Sequence, residues 1–412
     1  MTSLAHWAEV HRLAVAGREP VIARQVGSRL AVLWLGWSRF AAVASLSRAT
    51  LTLGPDAGAL YFLGWAEAAT GRPQQALAYY ERALAIMRQA GDHASEAATL
   101  NNIGNVYEGL GDRRKSLACF EQALPILREV GDRVGEAVTL SNIGSVHHAR
   151  GDERGALTYL EQALHMLREV GDRAGEAITL SSIGTVYHGL GEERRALAFH
   201  AQALPILREI GNRAHEAATL NNMGLAYNAL GDRQQALACY AQALPIRREV
   251  GDRAGEAATL SNIGSVHHGL GELQQALACY EHALPILRET GGRAGEAVTL
   301  NNIGSVYHGM GDLQRALACY EESLPIRQEV GDRAGEAVTR YNIAMIHRAG
   351  GHLDRAIGEL ELVVNLDRLV DHRDIAADTA MLEQVRRERD QSGMNQPVII
   401  PASSAAGRKG RP

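Results

Sequence analysis

The segment TLNNIGSVYHGMGDLQRALACYEESLPIRQEVGDRAGEAV begins again every 40 residues, so one small unit is built many times over. A marker glycine recurs at Gly64, Gly104, Gly144, Gly184, Gly224, Gly264 and Gly304, and Ala344 takes its place in the eighth copy. Such a period argues against a single globular core, because each unit touches only its neighbours and the array presents a long surface instead of one pocket. By length alone, 412 residues would be read as two or three domains. The unbroken register predicts one solenoid with two end segments.

Within residues 293–331, Ala297, Leu300, Ile303, Gly304 and Tyr307 fall on one helical face and define helix A. Gly309 and Gly311 are expected to end it, since glycine takes the left-handed conformation at little cost. Asp312 then caps helix B, whose inward face is Leu313, Ala316, Leu317, Tyr320 and Leu324. The pair predicts an antiparallel hairpin, and the fold class is all-α. Neither helix buries its apolar face alone, so stacked hairpins must supply the core. Pro125, Pro205, Pro245, Pro285 and Pro325 recur about thirteen residues after the cap, where proline removes a backbone hydrogen bond. They are read as a bend in helix B that leads the chain round to the GDRAGEA segment, tolerated and not required, since Ala85 and His165 replace them.

A formal charge of -5 on a chain with arginine scattered beside acids does not favour nucleic acid as the main partner. Residues 1–54 are basic, with six Arg against two Glu, and the last 22 residues carry Arg408, Lys409 and Arg411 without an acid. The four cysteines, Cys119, Cys239, Cys279 and Cys319, occupy one position in their repeats, too far apart to bridge, and are expected to be reduced in a cytoplasmic setting. No signal peptide is visible, and the apolar run Leu30 to Trp37 is far short of a membrane span, so no membrane insertion is expected. Phosphate-loop, His-Glu-x-x-His, Cys-x-x-Cys and Gly-x-Ser-x-Gly signatures are missing, and Asp371-His372-Arg373-Asp374 matches only a fragment of a kinase loop. The expectation is a non-enzyme without cofactor or metal.

The residues Leu300, Ile303, Gly304, Tyr307, Ala316, Tyr320 and Ser323, repeated as Leu220, Met223, Gly224, Tyr227, Ala236, Tyr240 and Ala243, resemble the tetratricopeptide repeat. The usual period of that family is 34. A 40-residue version with a GDRAGEA-type linker is similar to the longer-helix subgroup of kinesin light chains, Pins/LGN polarity scaffolds and bacterial signalling arrays. The resemblance implies a right-handed superhelical solenoid of antiparallel hairpins. It gives a helical segment over 1–55 with a degenerate repeat, about eight repeats over 56–366, a capping helix over 367–390 and a disordered tail over 391–412. The last copy departs from the pattern at Arg340, Ala344, His347, Leu360 and Val363, as a terminal unit would.

The resemblance also implies a peptide or extended protein segment held along the concave face lined by helix A. The asparagine two residues before the marker is then expected to contact the ligand backbone: Asn102, Asn142, Asn222, Asn262, Asn302 and Asn342, with Ser182 breaking the row. A carboxamide offers both a donor and an acceptor to any peptide bond. The alternative is that these residues bond the neighbouring repeat. A second row, His148, His188, His268 and His308, lies four residues after the marker. Its members are on the order of 10 Å apart, too far to share a metal ion, and read as a pH-sensitive lining or a solvated polar face. In a third row, Arg133, Arg173, Arg213, Arg253, Arg293 and Arg333 each precede a glutamate by three residues. In the Pins-like subgroup such arginines bind acidic side chains of a partner; otherwise they form local Arg–Glu pairs. His147 and His267 stand where other copies carry tyrosine and are read as packed in the hairpin.

These features point to a scaffold or adaptor for an extended segment of a partner protein. A ligand-gated regulatory receptor and a self-assembling structural array are the alternatives. A monomer is expected, with an oligomer the outcome of the last reading.

Overall fold

The computed structural model describes residues 4–37, 39–370 and 374–394. Its helices are α1 (Leu4–Ala16), α2 (Pro20–Gly36), α3 (Phe40–Leu51), α4 (Ala57–Ala69), α5 (Pro73–Ala90), α6 (His93–Gly109), α7 (Arg113–Val130), α8 (Arg133–Ala149), α9 (Glu153–Val170) and α10 (Arg173–Gly189). They continue as α11 (Glu193–Glu209), α12 (Arg213–Ala229), α13 (Arg233–Glu249), α14 (Arg253–Gly269), α15 (Leu273–Thr290), α16 (Arg293–Gly309), α17 (Leu313–Val330), α18 (Arg333–Ala349), α19 (Leu353–Val370) and α20 (Ile375–Met394). No strand occurs among the described residues. The chain divides into two compact units, Met1–Gly231 and Asp232–Pro412.

In each unit consecutive helices pack as antiparallel hairpins, and each hairpin stacks on the next. From α4 onward, even-numbered helices up to α18 are A helices and odd-numbered ones up to α19 are B helices. The caps follow from the repeated Gly-Asp pair. Asp132 accepts a hydrogen bond from the Gly135 amide at 2.9 Å at the start of α8, and Asp312 accepts one from the Arg315 amide at 3.1 Å at the start of α17. At the far end of α7, Gly131 turns the chain with φ of 71°, a left-handed conformation that costs glycine little.

The core lies between hairpins as much as within them. Leu160 and Leu164 of α9, Leu180 and Ile183 of α10, and Ile206 and Leu207 of α11 form one cluster across three successive helices. Inside each hairpin the marker glycine sits against the large residue of helix B. A Cβ on Gly304 would stand 2.6 Å from the Tyr320 ring, so any larger residue collides with it. In the eighth copy Ala344 faces the smaller Leu360, and both are fully buried.

The expected bend at the prolines is corrected. α7 runs unbroken through Pro125 to Val130, and α9, which carries His165 at that place, spans the same 18 residues. The reversal is made at the terminal glycine. Pro125 and Glu121, whose carbonyl loses its usual donor, both lie on the solvent side, so the freed oxygen stays hydrated. The other four prolines share this exposed setting.

At the C-terminal end, Leu382 and Val385 of α20 join Leu360 and Val364 in one buried cluster, and Arg348 donates to Glu388 at 2.5 and 2.9 Å. Arg340, at a place held by leucine in earlier copies, is satisfied by Glu336 and Glu359 at 2.9 and 2.8 Å. Of the tail expected to be disordered over 391–412, residues 391–394 continue α20, while residues 395–412, and Asp371, His372 and Arg373 of the kinase-like fragment, lie outside the described residues. No helix among those described is long and apolar enough to cross a membrane.

Candidate binding face

A helices of successive repeats touch directly: α6 meets α8, α8 meets α10 and α10 meets α12 in the first unit, and α14 meets α16 in the second. Their seam is polar. Asn101 Nδ2 donates to the hydroxyl of buried Thr139 at 2.8 Å, and that hydroxyl in turn donates to the Gly135 carbonyl at 2.7 Å. The same rung recurs between Ser141 and Thr179 at 3.2 Å, Ser181 and Thr219 at 3.1 Å, and Ser261 and Thr299 at 3.3 Å. A buried hydroxyl left unpaired costs about 1–3 kcal/mol, so this ladder fixes the register of one repeat on the next.

Beside the seam, helix A presents a continuous solvent-facing strip in each unit. On α8 it reads Val134, Val138, Asn142 and Ser145, and on α16 Ala294, Val298, Asn302 and Ser305. No Asp, Glu, Lys or Arg stands at these four places in any copy from α6 to α18. Val138, Val298 and Val338 remain 40, 44 and 49% exposed. The strip is therefore uncharged, lined by small and branched apolar side chains, and set with carboxamides and hydroxyls.

The six predicted asparagines are half-buried on this strip, and most are tied to the preceding repeat. Asn102 donates to the Tyr61 hydroxyl at 2.8 Å, Asn142 to Asn105 Oδ1 at 3.2 Å, Asn222 to Thr185 Oγ1 at 3.2 Å and Asn342 to Asn301 Oδ1 at 3.4 Å. Asn262 is engaged as well. Asn302 has no partner among the described residues, and Ser182 turns back to the Ile178 carbonyl at 3.1 Å. Bonding to the neighbouring repeat, the alternative set beside the ligand role, is thus realised through Nδ2. In Asn102, Asn142 and Asn222 no described residue occupies Oδ1.

The histidine row divides in two. His148 Nδ1 pairs with Glu153 at 2.6 Å and His188 Nδ1 with Glu193 at 2.7 Å, the acids that open the following B helices. Those helices begin with Leu273 and Leu313 beside His268 and His308, which have no such partner. His147 and His267 likewise pair with Asp152 and Glu272 at 2.7 and 2.6 Å, and His147 stacks on Tyr159. Among the described residues no group of three or more His, Cys, Asp or Glu is placed to hold a metal ion.

Five of the six arginines in the row are occupied internally, whereas Arg333 has no partner among the described residues, and Glu336 is taken by Gln328 and Arg340 instead. Arg173, Arg213, Arg253 and Arg293 donate through Nη1 to Glu176, Glu216, Glu256 and Glu296 at 2.6 Å, and Arg133 donates to Glu136 at 3.3 Å. Each of these five glutamates is buried, and a second arginine from the end of the preceding B helix takes its other oxygen: Arg128, Arg168, Arg208, Arg248 and Arg288, at 2.7–2.9 Å. Arg133, Arg253 and Arg293 reach on to Glu169, Glu289 and Glu329 at the far end of the B helix in the same hairpin. Burial alone would push the Glu256 carboxyl up, but its hydrogen bonds with Arg248 and Arg253 outweigh this and hold it below the ordinary range. A carboxyl lowered in the native state contributes stability above its unfolded pKa, lost as pH falls through the native one. Replacing both Arg248 and Arg253 by alanine leaves only the burial. The Glu256 pKa should then rise above its ordinary value, and acidification should stabilise this variant relative to the parent. Carboxyl-directed NMR titration checks the direction; an unmoved pKa would contradict the two-arginine account.

Sequence reasoning passed over the second arginine, the Thr–Asn ladder and the first copy of the strip. At places that later repeats fill with Asn, Ser or Thr, apart from Leu225, Tyr341 and Met345, α4 carries Tyr61, Phe62 and Trp65, with Trp65 42% exposed. Departure from the repeat consensus at these three places was the available signal. Between α4 and α6 the strip holds a cavity of about 370 Å³ bounded by Trp65, Asn102 and Asn105, and another of about 420 Å³ bounded by Tyr61, Phe62 and Ala98.

A family model described as tetratricopeptide repeat matches residues 56–129, 135–209, 215–289 and 295–368. No curated protein matches the sequence. Among solved structures, the chain is similar to a signal transduction ATPase with a tetratricopeptide repeat sensor from Pyrococcus horikoshii, at TM-score 0.63 and 15% identity over 88% of this chain and 54% of that one. It thus spans about half the length of that protein. It is also similar to the apo quorum sensor NprR from B. thuringiensis (TM-score 0.59, 15% identity, 83% of this chain and 98% of that one). A Rap protein complexed with Competence and Sporulation Factor aligns at TM-score 0.58 and 16% identity, covering 80% of this chain and 98% of that one. At these identities the likeness concerns the helical-repeat fold.

Proposed function

Because the chain belongs to the tetratricopeptide repeat family, we propose that it is a protein-interaction scaffold whose A-helix strip holds an extended, uncharged segment of a partner protein. The observation that carries this reading is the absence of any charged side chain from four strip positions through every copy from α6 to α18. In a chain with 22% charged residues, a solvent-facing row without one is a surface matched to desolvation. The asparagines add acceptors that suit backbone N–H groups of an extended peptide, independent of its sequence. The His–Glu and Arg–Glu pairs belong to the repeat's own framework, which moves weight from charge recognition to backbone and apolar contacts.

Affinity capture from native lysate, followed by mass spectrometry, tests the reading. The parent is compared with the Asn142→Ala, Asn222→Ala, Asn262→Ala triple variant and with Val138→Glu, Val298→Glu, both confirmed helical. Partners retained by the parent should fall about tenfold or more with either variant, since buried unpaired charge and lost backbone bonds each cost about 1–3 kcal/mol. Equal recovery would remove the strip from the account.

A ligand-gated receptor draws support from two neighbours described as sensors. In that reading a short ligand changes the compactness of the chain in solution scattering, whereas an adaptor changes little. Gel filtration at rising concentration separates both from self-assembly.

A further inference from the structure

We propose that the cavity between α4 and α6 is the anchor pocket of the strip, taking one bulky uncharged side chain of an extended peptide together with the peptide unit beside it. The proposal rests on the scaffold reading above and adds to it where, on an otherwise uniform surface, a bound segment is fixed. A strip that repeats every 40 residues gives a peptide no preferred register. Single places vary elsewhere, as at Ser182, Leu225 and Met345, but the α4 copy puts two aromatic rings, Phe62 and Trp65, on the strip.

The walls decide what fits. Trp65, Pro73, Tyr80 and Val106 supply apolar surface, and Asn102 and Asn105 face the same space of about 370 Å³. No charged side chain lines it, so an Asp, Glu, Lys or Arg would lose its hydration there without a counter-charge. Trp65 packs edge-on to Tyr61 at 6.2 Å between ring centroids yet keeps 42% of its surface exposed, an aromatic wall that a bound side chain would cover.

The two carboxamides have complementary atoms left over. Asn102 spends Nδ2 on the Tyr61 hydroxyl, which leaves its Oδ1 to accept. Asn105 spends Oδ1 on Asn142, which leaves its Nδ2 to donate. One free acceptor and one free donor match the single N–H and single C=O of a peptide unit. Both are held by bonds to neighbouring repeats and need no reorganisation on binding.

The test is selection of a displayed random-peptide library on the full chain, followed by titration of one enriched synthetic peptide against variants. Trp65→Ser installs the residue found at Ser145 and Ser265, and Gly109→Leu grows a side chain into the cavity from a position where a Cβ meets nothing within 4 Å. Val298→Glu charges the strip in the other unit. The proposal expects enriched peptides to share one bulky uncharged residue, with affinity falling about tenfold or more for Trp65→Ser, for Gly109→Leu, and for the peptide carrying Asp or Lys at the anchor. Unchanged affinity for Trp65→Ser and Gly109→Leu, with loss for Val298→Glu, would overturn the pocket and leave the strip standing. Indifference to all three variants, or no enrichment at all, would overturn both.

Discussion

Tyr280→Ala is expected to destabilise the second unit by about 3–5 kcal/mol and to reverse the sign of a second substitution, Gly264→Ala. Tyr280 is 1% exposed and packs against Ile303 and Val306 of the next A helix, so its loss opens a cavity between hairpins as well as within one. In the parent, a Cβ on Gly264 would lie 2.8 Å from the Tyr280 ring, and Gly264→Ala alone should cost about 1–3 kcal/mol through overpacking. Once the ring is gone the same methyl fills vacated space, and alanine gains close to 1 kcal/mol over glycine in helix propensity. Guanidinium unfolding of the four proteins in this double-mutant cycle should give a coupling well beyond the additivity expected of independent sites. Additive effects would mean that marker and ring do not determine one another.

His200→Phe should raise stability in acid and remove a pH dependence that the parent carries. His200 occupies the place held by Phe120, Tyr240 and Tyr280 in other copies, fully buried beneath Gly184, and its Nε2 has no partner. Burial, with a smaller contribution from the charge of His188, pushes its pKa down to about 4. Below pH 6.5 the unfolded chain binds a proton that the native one refuses, so stability falls as pH drops from about 6.5 toward 4 and is fully present above that window. The loss amounts to about 3 kcal/mol at 1.4 kcal/mol per pH unit. Unfolding curves at pH 4 and 7.5 should show the variant gaining about that much more over the parent at the lower pH. An equal difference at both values would place His200 in contact with water.

The period made the hairpin legible, because every residue of helix A and helix B recurs at its own place. Asp312 and Gly311 were readable as cap and turn for the same reason: cap chemistry is local and needs no neighbour. What escaped depends on contacts between copies. The rung from Ser141 to Thr179 joins positions 38 apart, so neither residue looks paired within a single repeat. Asn142 was singled out as a ligand contact, yet its Nδ2 serves Asn105 of the repeat before. Arg128 and Glu136 lie on two different helices, and only the turn at Gly131 brings them together. Pro125 misled for another reason: its cost depends on whether Glu121 faces water, which spacing alone does not settle.

The claim that the A-helix strip is the binding face is tested most directly by site-specific photocrosslinking in native lysate. One protein carries the crosslinker at Ser145 on α8, within the strip, and another at Glu161, exposed on the B helix α9. The account predicts that a partner peptide, identified by mass spectrometry, is captured from position 145 and not from position 161. Capture from 161 alone, or equally from both, would contradict it.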